Sequence, residues 1–115
     1  MMRSEGRISH ETEDERMRHV MVRYTVRPDR AEENTRLVEA VFESLNRSAP
    51  AGLTYSTYRM EDGVSFVHVA TVESPDDNPL QKLAEFKAFT AGVKDRCEVP
   101  PATSVLTRIG SYTSK

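Results

Sequence analysis

Between His19 and Arg27 apolar side chains recur at every second position. Val20, Val22, Tyr24 and Val26 fall on one side of an extended chain, and Met21, Arg23, Thr25 and Arg27 fall on the other, which predicts a strand with one face in a core. Pro28 ends it. Asp29 followed by Glu32 has the spacing of a capping box, and Ala31, Leu37, Val38, Val41, Phe42 and Leu45 then form one apolar stripe, predicting a helix from Asp29 to about Ser48. Ala49-Pro50-Ala51-Gly52 stops that helix. Leu53 to Met60 alternates and is rich in Thr and Tyr, Glu61-Asp62-Gly63 is a hairpin signal, and Val64 to Val72 reads as a strand apolar on both sides. Phe66, His68, Ala70 and Val72 share one of its faces; Val67 and Val69 share the other. Asn78 as cap and Pro79 at the first helical position open a second helix whose inner face is Leu80, Leu83, Phe86, Phe89 and Val93, with Gly92 a point of weakening. Cys97 to Ala102, containing Pro100-Pro101, reads as extended loop, and Ser104 to Tyr112 as the last strand.

The order strand, helix, strand, turn, strand, helix, strand predicts an α+β protein, a ferredoxin-like βαββαβ sandwich with a four-stranded antiparallel sheet. Right-handed crossovers place the first and third strands in the middle and the second and fourth at the edges. Two helices cover only one face of such a sheet. Val67 and Val69, or else their opposite-face neighbours, are then bare in a single subunit, and the expected remedy is a homodimer packed through the sheet face.

Composition narrows the function classes. The chain has 115 residues, enough for one domain with a real core, and no apolar run approaches the ~20 residues of a membrane span. The first sixteen residues carry all of the charge imbalance and a single aliphatic side chain, Ile8, so residues 1–16 are expected to form a flexible tail, with Met17 an alternative start. The remaining charges balance, which gives no attraction for nucleic acid. One cysteine, Cys97, and no secretory signal favour the cytoplasm, with Cys97 expected to be an inert thiol.

Three segments then carry a likeness: His19-Val20-Met21-Val22-Arg23-Tyr24-Thr25-Val26, Pro50-Ala51-Gly52-Leu53-Thr54-Tyr55, and Leu83-Ala84-Glu85-Phe86-Lys87-Ala88-Phe89. Over roughly Met17 to Tyr112 the chain resembles the antibiotic biosynthesis monooxygenase-like members of the dimeric α+β barrel superfamily. The resemblance implies a cavity between helices and sheet. In the enzymes of that group it holds a quinol or polyketide aromatic oxidised by O₂ without a cofactor, or a haem that is degraded. This chain departs from their pattern in having no histidine on the second helix and no Trp anywhere, which argues against haem breakdown and weakens the case for quinol oxidation.

The residues themselves offer little other chemistry. No paired cysteines, His-x-x-x-His, nucleotide-binding glycine pattern or Gly-x-Ser-x-Gly elbow is present, so no metal and no cofactor is expected. His68 is the candidate catalytic base, an imidazole flanked by Phe66 and Ala70 on a strand; the plainer reading is a core histidine bonded to backbone or tyrosine. Tyr24 and Tyr55 are candidates to orient a small aromatic ligand, with packing as the plainer role, and Phe86 and Phe89 to wall it. Arg23 and Arg108 are weighed as anion holders against surface ion pairs. The functional expectation is a monooxygenase-like enzyme acting on a small aromatic or quinol, the alternative a noncatalytic ligand-binding or scaffold homodimer.

Overall fold

A computed structural model describes residues 17–114. The expected tail, 1–16, lies outside the described residues. Strand β1 (Arg18–Val26) is followed by a 3₁₀ turn (Pro28–Arg30) and helix α1 (Ala31–Ser48); β2 (Leu53–Arg59) and β3 (Ser65–Val72) form the hairpin. Two 3₁₀ turns (Pro75–Asp77 and Pro79–Lys82) lead to α2 (Ala84–Arg96), and β4 (Cys97–Leu106) closes the order. The sheet runs β2-β3-β1-β4 with every pairing antiparallel, so the two most apolar strands are central as expected. Among the described residues no helix is long and apolar enough to cross a membrane.

Both helices lie on the face that carries Tyr24, Val26, Phe66 and Val72, which are almost fully buried together with Val41, Leu80 and Phe89. The opposite face carries Met21, Val67 and Val69 half-buried, with Tyr58 and Val99 more than half exposed. Of the two faces left open by the alternation, that of Val67 and Val69 is therefore the bare one.

The turn signals work through specific contacts. Gly63 takes φ +78°, and the Asp62 carboxylate accepts from the amides of Val64 and Ser65 and from the Ser65 hydroxyl, at 3.0, 2.8 and 2.7 Å. Those bonds, the Ser65 hydroxyl first, hold the Asp62 carboxyl below the usual carboxylate range.

Four local expectations are corrected. Asp29 does not cap a helix, because Pro28 starts a 3₁₀ turn; Arg30 takes the N-cap position, and its guanidinium pairs with Glu33 at 2.6 Å. The Asn78 side chain does cap, accepting from Leu80 N at 3.0 Å. The turn it caps is 3₁₀, however, and Leu83 in extended conformation separates it from α2. Gly92 does not end the helix, which runs on to Arg96. The last strand begins at Cys97 and includes Pro100-Pro101, while the segment from Thr107 to Ser114 has no regular structure. Proline is tolerated there because β4 is an edge strand and the register slips opposite Arg23 and Thr25, so the missing amides fall in a bulge.

Candidate functional site

The register builds the site. His68 on β3 lies opposite Thr57 on β2 and Val22 on β1, and Tyr55 and Tyr24 sit two residues further along those neighbouring strands, on the same face. All of them point toward the helices. The imidazole bridges the two phenols: its Nε2 is 2.8 Å from Tyr24 Oη, and its Nδ1 is 2.7 Å from Tyr55 Oη and 2.9 Å from Thr57 Oγ1.

Two residues that sequence reasoning passed over extend this chain of bonds. Asn34, on α1, donates from Nδ2 to Tyr24 Oη at 2.9 Å. Its Oδ1 accepts from Arg96 Nε, at the end of α2, at 3.0 Å, and Arg96 Nη2 donates to the Phe89 carbonyl at 3.0 Å. Asn34 is 0% exposed and Arg96 3%, and among the described residues no carboxylate pairs with that guanidinium. Its charge is instead spread over the amide oxygen, a helix carbonyl and the Phe89 ring, whose centroid lies 5.2 Å away. A Cβ on residue 92 would stand 3.1 Å from an Arg96 nitrogen, so Gly92 leaves the room in which the guanidinium folds back. The signal was in the periodicity: Asn34 lies three residues after Ala31 and four before Val38, and Arg96 three after Val93. Each is a polar side chain on an apolar stripe.

Burial sets the electrostatics. It pushes the His68 imidazole down to about 4, so the ring is neutral at physiological pH. Burial also raises the Tyr24 phenol well above its ordinary value, opposed by the bond from Asn34, and raises Tyr55, opposed by Thr57. Cys97, half-buried at the start of β4, has its thiol raised by burial, as suits an unreactive sulfur.

A cavity of about 420 Å³ opens between the sheet and α2. All five residues singled out from the sequence border it: His68, Tyr24, Tyr55, Phe86 and Phe89. Its other walls are mostly aliphatic, from Val20, Val22, Ala70, Leu80 and Val93, with Pro101 contributed by the unexpected first half of β4. The aromatic rings pack on one another, Phe89 at 5.4 Å from His68 and Phe86 edge-on to Tyr55 at 6.5 Å. Arg23, Arg108 and Tyr58 do not border it and are exposed. With both ring nitrogens engaged, the hydrogen-bonding path from His68 to the cavity runs through Tyr55. The arrangement can hold an apolar ring and meet one polar group of it with a hydroxyl.

No protein-family model matches the chain, and no curated protein matches it. Solved structures do. Rv0793 from Mycobacterium tuberculosis superposes with a TM-score of 0.69 at 22% identity, covering 84% of this chain and 99% of that one. A Nitrosomonas europaea protein, proposed in its description to be an antibiotic biosynthesis monooxygenase, gives 0.68 at 16% identity over 82% and 91%. A variant of SnoaB, a cofactor-independent oxygenase from Streptomyces nogalater, gives 0.58 at 16% identity over 86% and 99%. The chain therefore has the fold of the antibiotic biosynthesis monooxygenase-like proteins, a ferredoxin-like α+β sandwich with helices on one face of its sheet.

Proposed function

We propose that this protein is a cofactor-independent monooxygenase-like enzyme that oxidises a small hydroxylated aromatic, a phenol or quinol, in the cavity beside His68. The observation that carries the reading is the cavity itself: a mostly apolar space of about 420 Å³ with an imidazole and two phenols bonded together in its wall. The fold likeness to a cofactor-independent oxygenase supports it. Phe86 and Phe89 bracket the ring, Tyr24 packs beneath it, and Tyr55, held by His68, touches its oxygen.

In this reading the substrate reacts as its anion, having given its proton to water at the mouth of the cavity. The anion passes an electron to O₂, and the radical pair recombines at a ring carbon. One oxygen atom stays as a carbonyl, the other leaves as water, and a phenol becomes a quinone with all four electrons drawn from the substrate. The Tyr55 hydroxyl, donating to the phenolate oxygen, favours the anion and offsets the cost of holding it against an apolar wall. His68 thereby acts as the group that positions Tyr55, a narrower part than the base expected from its place in the strand. Oxygen-electrode traces with a panel of naphthols and hydroquinones are expected to show protein-dependent O₂ uptake. That uptake falls at least ~100-fold in His68→Ala, the scale of losing a positioned polar group at a reacting oxygen. No uptake across the panel would contradict the reading.

The same proposal includes a homodimer. What supports it is the open sheet face, with Val67, Val69 and Met21 at its centre and Tyr58 and Val99 beside them, which a second copy related by a two-fold axis would cover. Sedimentation velocity at micromolar concentration is expected to give twice the chain mass; a single subunit would remove the dimer. The noncatalytic alternative is favoured by the second helix, whose described residues carry no histidine, and it retains the cavity as a binding site.

A further inference from the structure

The bond chain that ends at the cavity has a direction, and one residue behind the cavity wall sets it. A guanidinium has only N–H donors, so Arg96 Nε must donate to Asn34, and the atom facing it must be Oδ1. The Asn34 amide nitrogen is then the atom on Tyr24 Oη, and it must donate. Tyr24, accepting there, has its own proton for His68 Nε2, 2.8 Å away. His68 is neutral and therefore carries its single proton on Nδ1, which points at Tyr55 Oη and Thr57 Oγ1. Nδ1 cannot accept in this state. At least one of the two hydroxyl protons must leave the group formed by Nδ1 and the two oxygens. Tyr55 borders the cavity beside His68, whereas Thr57 borders a separate groove, next to Phe42 and Phe66.

We infer that Arg96 and Asn34 are positioning residues that lock His68 in the Nδ1–H tautomer and so turn the Tyr55 hydroxyl outward as a hydrogen-bond donor, making the cavity selective for an apolar ring that presents an acceptor oxygen. A ketone carbonyl or a phenolate qualifies; a ring without an acceptor does not. Tyr55 Oη accepts from Nδ1–H, which leaves its own proton free to face the cavity that Tyr55 borders. The inference rests on the cavity being the ligand site, as proposed above, and gives that site its ligand chemistry.

Asn34→Asp reverses the chain with almost no change in shape. A carboxylate beside Arg96 stays ionised and only accepts, so Tyr24 must turn its proton toward residue 34 and accept from His68 Nε2–H. Nδ1 then accepts from Tyr55. Long-range ¹H–¹⁵N spectra of the imidazole in the full chain are expected to show Nδ1–H in the natural protein and Nε2–H in Asn34→Asp. In binding titrations 1-tetralone, which has a carbonyl, is expected to bind about tenfold more tightly than tetralin, which lacks one. That preference shrinks to about twofold or less in both Asn34→Asp and Tyr55→Phe. Nε2–H in the natural protein overturns the direction of the chain. An unchanged tautomer in Asn34→Asp overturns the part given to Asn34, and equal binding of the two probes overturns the acceptor preference. Should Asn34→Asp fail to fold, the natural protein's tautomer and Tyr55→Phe still decide. A protein that consumes no O₂ but shows these tautomers and this preference refutes the oxidation chemistry and leaves the inference standing.

Discussion

Asn34→Leu is expected to lower the unfolding free energy by about 3 kcal/mol, because it strips a buried cation of its only side-chain hydrogen-bond acceptor among the described residues. Arg96 is 3% exposed and relies on the Asn34 amide oxygen, the Phe89 carbonyl and the Phe89 ring. Leucine fills a similar volume but accepts nothing, so Nε–H is left unpaired and Tyr24 loses the donor at its oxygen. For a domain of this size the midpoint of thermal unfolding should fall by roughly 15 °C. The cause is testable by a second change. Arg96→Met removes the stranded charge, so the double variant Asn34→Leu with Arg96→Met is expected to recover about half of the loss. Additive losses in the double variant would mean that the two residues are not coupled.

The second large effect is on acid stability. His68 titrates near 6.5 in an unfolded chain and at about 4 in the fold, so the unfolded state binds a proton first as pH falls. Above pH 6.5 neither state is protonated at this ring and its contribution to the pH dependence is nil. Between 6.5 and about 4 the unfolded state gains, and the fold loses up to about 3 kcal/mol; below 4 both are protonated and the loss stops growing. His68→Gln can accept from Tyr24 and donate to Tyr55 without ever titrating. Urea unfolding as a function of pH is expected to show a difference curve between the two proteins of about one proton across that window. The lowered carboxylates Glu33, Asp62 and Glu85 titrate in both proteins and cancel. Parallel curves would mean that His68 is not held neutral by burial.

How legible the site was depends on where each residue sits. Alternation along β1 and β3 placed Tyr24 and His68 on one apolar face, and the hairpin signal at Asp62-Gly63 set the pairing that brings Tyr55 to the same imidazole. Those are period-two facts visible in a single strand. Asn34 and Arg96 were not legible as partners because their meeting depends on how two helices lie on a sheet, a tertiary relation that no local spacing records. Their only mark was polarity at a core position of each stripe. Residues 97–102 failed for a different reason. Pro100-Pro101 forbids a regular ladder, and only the bulge on an edge strand reconciles the pair with β structure. The bare face could not be chosen from β3 alone, since both of its sides are apolar; the helix-facing stripe of β1 decides it once the register is known.

The proposed activity requires a small aromatic ring to enter the cavity and meet Tyr55. The direct measurement is titration of the natural protein with 1-naphthol under nitrogen, following the His68 and Tyr55 ring resonances by NMR. Saturable shifts at both rings, abolished for His68 when Tyr55 is replaced by phenylalanine, are the expected result; unmoved resonances at millimolar ligand would contradict it.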